Sequence, residues 1–313
     1  MKGLIQQPKT SFREQETGCE MLFRNLGNCW HIYTPEQFPI VFGTDDDFKA
    51  GMNLLAICAK TFPDVRILTF EMMSNHLHLC VSGLEERVAA FIAMLIKYLG
   101  RYLKETSRPV DLSEWNRPPR IITDLNDIRN VITYINRNGY LVHPDVTPFS
   151  YPWGANRFFF SPELVRFHGL SDETLSQKYL RKNFRSRLLD GYCGLPTIDG
   201  YVSPISFCDI ATAERLFRDA RHYFYKISHD IESQQTIASE LGERVFYTDS
   251  ELYAFVKSKC KTEYNVDAPP LLPGDAKVRL AKVLHYDYNA DNQQVARILR
   301  LDLAVVASLF PSR

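Results

Sequence analysis

Two apolar runs separated by only two residues constrain the fold of this chain most strongly. "VRILTFEMM" (65–73) and "HLHLCVSG" (76–83) both have the pattern of buried strands, and Ser74-Asn75 between them is typical of a tight hairpin. A tight hairpin makes its two strands antiparallel. One further strand pattern and three helical patterns interleave with this hairpin, at 29–34, 48–62, 85–105 and 124–138. The order predicts an α+β fold with an antiparallel sheet rather than a doubly wound parallel sheet.

The composition, with 45% hydrophobic and 24% charged residues, is that of an ordinary globular protein. Lys plus Arg and Asp plus Glu number 37 each, so any surface for nucleic acid must come from local patches. The seven cysteines are scattered without a CxxC pair, which argues against a disulfide framework and a zinc knuckle. The first residues, "MKGLIQQPKTSF", lack the apolar run of a signal peptide, and no run of about 18 apolar residues follows. We therefore expect a cytoplasmic protein without a membrane segment.

The C-terminal part of the chain is mostly helical in pattern. "DAPPLLPGD" (267–275) is the best candidate for a linker, and three short helices follow it. The second, near 292–299, and the third, near 302–310, have the spacing of a helix-turn-helix. The third helix, "LDLAVVASLF", offers few side chains for base edges, so a protein contact or simple packing is an alternative to DNA reading. If it binds DNA, this unit would add affinity or target choice rather than chemistry.

A candidate metal site combines two of these segments. His76 and His78 lie two positions apart in a strand, so both imidazoles leave the same face. Tyr134 and Asn138 lie one turn apart in a helix, about 40° around its axis, so a hydroxyl and an amide point the same way. Two histidines and one oxygen ligand could hold Mg²⁺ or Mn²⁺, the ions that suit phosphate chemistry. Such an ion could polarise a phosphate for attack by tyrosine, a weak nucleophile at its ordinary pKa of about 10.

Each of these residues also has an ordinary structural explanation. No function is needed to explain a pair of half-buried histidines, one packing tyrosine among 16, or an amide in a helix that ends at Gly139.

The basic patches are similarly open to two interpretations. The first stripe of basic side chains lies on helix 85–105, with Tyr98 and Tyr102 between its members, which are Lys97, Arg101 and Lys104. The second stripe lies within 176–189 and consists of Lys178, Arg181, Lys182 and Arg185. Both could bind DNA phosphates, and both could be solvated helix faces.

Four segments in order resemble one known family. They are "MSNHLHLCV" (73–81), "WNRPPRIITD" (115–124), "YINRNGYLV" (134–142) and "YPWGANRFF" (151–159). They resemble the REP-associated tyrosine transposases, members of the single-tyrosine HUH nuclease superfamily. The usual strings of that family run M-P-N-H-x-H-L-L-V, Y-I-x-x-N-P and Y-P-W-S-S. The resemblance covers roughly residues 20–165, about half of the chain, and departs from the usual prolines at Ser74 and Gly139.

The resemblance implies a ferredoxin-like antiparallel sheet with flanking helices. It implies that His76, His78 and Asn138 bind Mg²⁺ or Mn²⁺ and that Tyr134 is the nucleophile, with Tyr140 as a second candidate. The substrate would be single-stranded DNA beside a hairpin or palindromic repeat, nicked and rejoined through a covalent 5′-phosphotyrosine, with a homodimer as one arrangement of the protein.

The resulting domain prediction is a catalytic domain, a basic helical extension and a three-helix unit, at 1–165, 166–266 and 276–313. Two other functions remain open at this point. One is a non-catalytic DNA-binding regulator that retains the transposase fold. The other is a phosphodiesterase that uses the histidines without a covalent intermediate.

Overall fold

The structure is a computed structural model that describes 11–35, 39–115, 118–142, 150–168, 173–243, 245 and 247–311, with the backbone alone for 139–142. The chain divides into two units. The first is formed by residues 1–140 and 145–223, and the second by residues 141–144 and 224–313. The predicted boundaries at 165, 266 and 276 stay predictions. None of the described helices is long and apolar enough to cross a membrane.

A four-stranded antiparallel sheet organises the first unit, so the predicted α+β class is confirmed. Its strands are β1 (Cys29–Tyr33), β2 (Arg66–Met72), β3 (Leu77–Ser82) and β4 (Arg120–Ile122), in the order β2-β3-β1-β4. The hairpin predicted from the sequence joins β2 to β3, with Glu71 opposite His78. Two details differ from the prediction. His76 lies just before β3 rather than in it, and β4 follows two prolines in a stretch whose pattern is too short to detect.

The helices of the first unit are α1 (Phe12–Asn25), α2 (Asp45–Thr61), α3 (Glu85–Glu105), α4 (Leu125–Val142), α5 (Pro162–His168), α6 (Gln177–Phe184) and α7 (Ile210–Arg215). Short strands β5 (Glu173–Thr174), β6 (Pro196–Ile198) and β7 (Tyr201–Val202) form a second sheet. Helix α1 begins with a capping box in which Ser11 and Glu14 satisfy each other's backbone N–H. Helix α4 continues through Gly139, so the predicted end of the helix at that glycine is wrong.

The two faces of the four-stranded sheet differ in chemistry. On one, which we call the apolar face, lie Trp30, Ile32, Phe70, Met72, Leu79 and Val81. Helix α2 packs there so closely that a Cβ on Gly51 would lie 2.9 Å from the Met72 sulfur. The other, which we call the polar face, carries His31, Tyr33, Thr69, Glu71, His78 and Cys80. Helix α4 covers the polar face, since Thr69 donates a hydrogen bond to Asn136.

The second unit is helical in its described part. After α8 (Ala220–His229), which begins in the first unit, it contains α9 (Ile231–Leu241), α10 (Asp249–Tyr264), α11 (Gly274–Lys282), a π-helical turn (Val283–Asp287), α12 (Asn292–Leu299) and α13 (Leu303–Leu309). The predicted helices near 292–299 and 302–310 correspond to α12 and α13. Arg297 of α12 forms an ion pair with Asp249 of α10 at 2.7 Å, so the last helices pack with α10 in one unit.

Candidate functional site

Three histidines meet on the polar face. His78 of β3 and His31 of β1 are fully buried, and Nδ1 of His78 lies 3.2 Å from Nε2 of His31 in a hydrogen bond. His76 is half-buried, and its Nδ1 lies 2.9 Å from the side-chain oxygen of Asn75. The rings of His76 and His78 are almost parallel, with centroids 6.1 Å apart. Both therefore lie on one side of the strand, although only His78 is within it.

Burial keeps the two inner imidazoles uncharged. It lowers the pKa of His78 to about 3. It also lowers the pKa of His31 well below the ordinary value, and the nearby His78 and Arg120 act in the same direction. Both rings are therefore neutral at physiological pH, which is the state in which a histidine can bind a metal ion.

Tyr134 lies directly against this histidine pair. Its ring packs edge-on against His78, with centroids 5.8 Å apart, and against His31 at 6.2 Å. The phenol is only 2% exposed, which is a consequence of the position of α4 between the sheet and the rest of the unit. Asn138, one turn later, is buried as well. The side chain of Tyr140, the second candidate nucleophile, lies outside the described residues.

A closed hydrogen-bond network fixes α4 on the polar face. Asn136, two residues after Tyr134, accepts from Thr69 and donates to the hydroxyl of Tyr223 at 2.8 Å. Tyr223 in turn donates to Asn156, whose amide donates to the backbone oxygen of Asn136 at 2.9 Å.

Helix α4 is more deeply buried than the sequence predicts. Every residue from Val131 to Asn138 is buried, whereas the sequence predicts a single buried stripe of apolar residues. These polar residues were missed, because burial of an asparagine depends on partners that are distant in sequence.

The segment "YPWGA" (151–155) runs beside the edge strand β2 and forms backbone hydrogen bonds with it. The backbone N–H of Met72 donates to the oxygen of Trp153 at 2.9 Å, and the N–H of Ala155 donates to the oxygen of Phe70 at 3.0 Å. A Cβ on Gly154 would lie 3.1 Å from Cγ of Glu71, so a side chain at this position would require Glu71 to move by a few tenths of an ångström. Glu71, fully buried and opposite His78, is a further polar residue that sequence reasoning missed.

The donor set limits what could bind here. Among the described side chains, no three from His, Cys, Asp and Glu are grouped so that they could hold a metal ion. An ion on His76 and His78 would therefore need an amide such as Asn138, substrate oxygens or water as further ligands. The two histidines fit such an ion, since Nδ1 of each ring is engaged within the protein and Nε2 is the nitrogen that would coordinate.

The basic side chains predicted to bind DNA lie on α3 and α6. Lys97 and Arg101 lie over the ring of Tyr98, whereas two arginines of the second stripe are in ion pairs: Arg181 with Asp190 at 2.6 Å and Arg185 with Glu105 at 2.5 Å. Lys104, Lys178 and Lys182 are exposed. Lys178 and Lys182 line a groove of about 1090 Å³ together with Lys49 of α2, which the sequence reasoning missed. The groove lies beside α2 and α3, the helices on the opposite side of the sheet from α4 and Tyr134.

Comparison with known proteins adds no further constraint on the site. No protein family model, no curated protein and no solved structure matches this chain, so its function has to be inferred from the side chains themselves.

Proposed function

We propose that this protein nicks and rejoins single-stranded DNA with Tyr134 as nucleophile and a divalent ion, Mg²⁺ or Mn²⁺, on His76, His78 and Asn138. The observation that carries the proposal is the position of Tyr134, whose ring packs against His78 although the two residues come from a helix and a strand distant in sequence. A tyrosine beside a neutral histidine of the proposed metal site is the arrangement that a single-tyrosine nuclease would need.

The topology supports the same proposal. In chain order the first unit contains β1, α2, β2, β3, α3 and β4, and its sheet order is β2-β3-β1-β4. This order supports the ferredoxin-like sheet that the resemblance to REP-associated transposases implies, because such a sheet has a β-α-β-β-α-β arrangement. We propose further that the DNA carries a hairpin or palindromic repeat and that α12 and α13 act as a helix-turn-helix-like accessory unit. A cytoplasmic location and a homodimer belong to the same proposal.

The proposed reaction is a reversible transesterification. The Tyr134 oxygen attacks the scissile phosphorus, the bond from phosphorus to the 3′ oxygen breaks, and the proton lost by the phenol is balanced by the proton that the 3′ hydroxyl gains. A divalent ion would neutralise charge on the phosphate in this step. The 5′ phosphate stays on Tyr134 until a 3′ hydroxyl attacks it, which restores the phenol and rejoins the DNA. The network through Asn136 holds the helix that carries Tyr134.

A second function is favoured by one observation. Tyr134 is 2% exposed and His78 is fully buried, so a phosphate reaches the phenol only if neighbouring residues move. A DNA-binding regulator that retains the fold without catalysis would need no such movement. In that case the exposed lysines of the groove, Lys178 and Lys182, would carry the main contact with phosphates.

Trapping of a covalent adduct tests the proposal. Incubated with single-stranded hairpin DNA and Mn²⁺, the protein is expected to give a denaturant-resistant protein–DNA adduct. Tyr134→Phe removes only the nucleophilic oxygen, so the adduct should disappear while DNA binding remains. Tyr140→Phe is the matched control and should form the adduct normally. Loss of the adduct in Tyr140→Phe but not in Tyr134→Phe would transfer the role to Tyr140. Specific binding without any adduct, across hairpin sequences taken from DNA that flanks the gene, would favour the regulator.

A further inference from the structure

His31 is a fully buried polar residue that the proposed reaction does not use. It lies on β1, two residues from Tyr33, which is the residue opposite His78. Its Nε2 is hydrogen-bonded to Nδ1 of His78, and this is the one hydrogen bond of its side chain within the described structure. Its Nδ1 is buried and has no hydrogen-bond partner among the described residues.

A histidine at this position lowers the stability of the fold, so we expect its hydrogen bond with His78 to have a function. A buried polar nitrogen without a partner destabilises the folded state, and an apolar ring at the same place would avoid that destabilisation. The surroundings also oppose a positive charge on His31, because Arg120 lies opposite it on β4 and the ring is fully buried. His31 is therefore a neutral imidazole whose polar contact in the described structure is directed at His78.

We propose that His31 is a positioning residue that holds Nδ1 of His78 inside the protein and thereby presents Nε2 of His78 to a divalent ion. The inference rests on the metal site of the proposed function. Once the lone pair of Nε2 is used by an ion, the proton of the His78 ring must be on Nδ1, where it is donated to Nε2 of His31. His31 then carries its own proton on Nδ1. No proton is gained or lost by the neutral pair in this arrangement.

The size of the effect follows from similar arrangements in metal sites. A metal-binding histidine usually donates its second N–H to a fixed acceptor, and loss of that acceptor weakens metal binding by roughly 10–100-fold. The acceptors are usually carboxylates, backbone oxygens or water, so a second neutral imidazole is an unusual choice. Unlike a carboxylate, it adds no negative charge to a site that has to receive a phosphate.

Titration of the metal-free full-length protein with Mn²⁺, followed by electron paramagnetic resonance, tests this role without any DNA. His31→Phe keeps a ring but removes the acceptor, and Mn²⁺ binding is expected to weaken roughly 10–100-fold. His31→Gln keeps an acceptor oxygen and should recover most of the affinity. Tyr33→Phe is the matched control, because its ring packs against both His31 and His78, at 5.3 and 6.5 Å, and it should bind Mn²⁺ as the unmodified protein does.

The outcomes separate this role from simple packing. If folded His31→Phe binds Mn²⁺ as tightly as the unmodified protein, or if His31→Gln is as weak as His31→Phe, the positioning role is wrong. If His31→Phe does not fold, His31→Leu compared with His31→Gln makes the same test. An unmodified protein that does not bind Mn²⁺ also overturns the proposal. Normal Mn²⁺ binding with the expected loss in His31→Phe, but without an adduct at Tyr134, would reject the nuclease function and leave the role of His31 intact.

Discussion

The two faces of the four-stranded sheet are buried to a similar degree by different means. The apolar face excludes water with side chains such as Phe70, Met72 and Leu79, all of which are fully buried. The polar face is equally inaccessible, but His31 and His78 are buried there together with the carboxylate of Glu71. Buried polar groups are stable only when hydrogen-bond partners satisfy them. The stability of the polar face therefore depends on the geometry of its hydrogen bonds, whereas that of the apolar face depends on the packed volume of its side chains. A face built in that way is the more suitable one for chemistry, and it is the one that α4 covers with Tyr134.

The largest expected effect tests the volume of the apolar face. Phe70→Ala should lower the free energy of unfolding by about 3–5 kcal/mol, because it removes a fully buried ring and leaves a cavity. Denaturant unfolding followed by circular dichroism measures the change. Phe70→Leu, which keeps most of the apolar volume, should cost clearly less. Equal costs for the two variants would mean that the face does not depend on packed volume.

The second effect concerns the pH dependence of the polar face. The folded-state pKa of His78 is about 3 and that of His31 is also lowered, so both histidines bind protons more readily when the chain is unfolded. Their contribution to stability is present above the unfolded pKa of about 6.5 and is lost as the pH falls toward the folded pKa. Each histidine should add a slope of up to about 1.4 kcal/mol per pH unit below pH ~6.

Equilibrium unfolding between pH 7 and pH ~4.5 measures this slope, and His31→Gln should reduce it by the share of one histidine. If the free energy of unfolding of His31→Gln had the same pH dependence as that of the unmodified protein, the prediction would be wrong. That result would mean that the fold does not keep His31 neutral.

A smaller effect is expected from the network that holds α4. Tyr223→Phe removes the hydroxyl that accepts from Asn136 and donates to Asn156, which leaves two buried amide groups each without one hydrogen bond. A loss of about 1–3 kcal/mol in unfolding free energy should result. Tyr225→Phe, on the exposed side of the same helix, should have almost no effect. If both variants unfold alike, the network does not stabilise the position of α4.

The smallest effect separates DNA affinity from chemistry. The double substitution of Lys178 and Lys182 by alanine should weaken DNA binding and reduce the slope of log affinity against log salt by about 1–2. The free energy of unfolding should stay the same, because both side chains are exposed. Salt-dependent anisotropy with labelled single-stranded DNA measures the slope. Substitution of Lys60, which is exposed at the C-terminal end of α2 and does not line the groove, is the control for a general loss of charge.

Periodicity in the sequence was sufficient for the apolar face and insufficient for the polar one. The hairpin of β2 and β3 and the helices α2 and α3 follow from spacing of apolar residues, which the fold retains. Helix α1 was missed because most of it is polar and exposed, and the capping pair Ser11 and Glu14 was the available signal. The proximity of Tyr134 to His78 was not predictable from periodicity, since it depends on which face of the sheet α4 covers. It was implied only by the resemblance of four ordered segments to one family.

The backbone hydrogen bonds between segment 151–155 and β2 limit how two copies of the protein could associate through the sheet. An edge strand with unused backbone groups can add a strand from a second molecule. On β2, Ile67, Phe70 and Met72 already use their edge groups: the oxygen of Ile67 accepts from Asp209, and Phe70 and Met72 bond to the 151–155 segment. A second copy of the chain therefore cannot extend the sheet at this side. At the opposite side, β4 is only three residues long, and Ile121 at its centre is half exposed. Any dimer that continues the sheet across two molecules would have to join them through β4, with Ile121 at the centre of the contact.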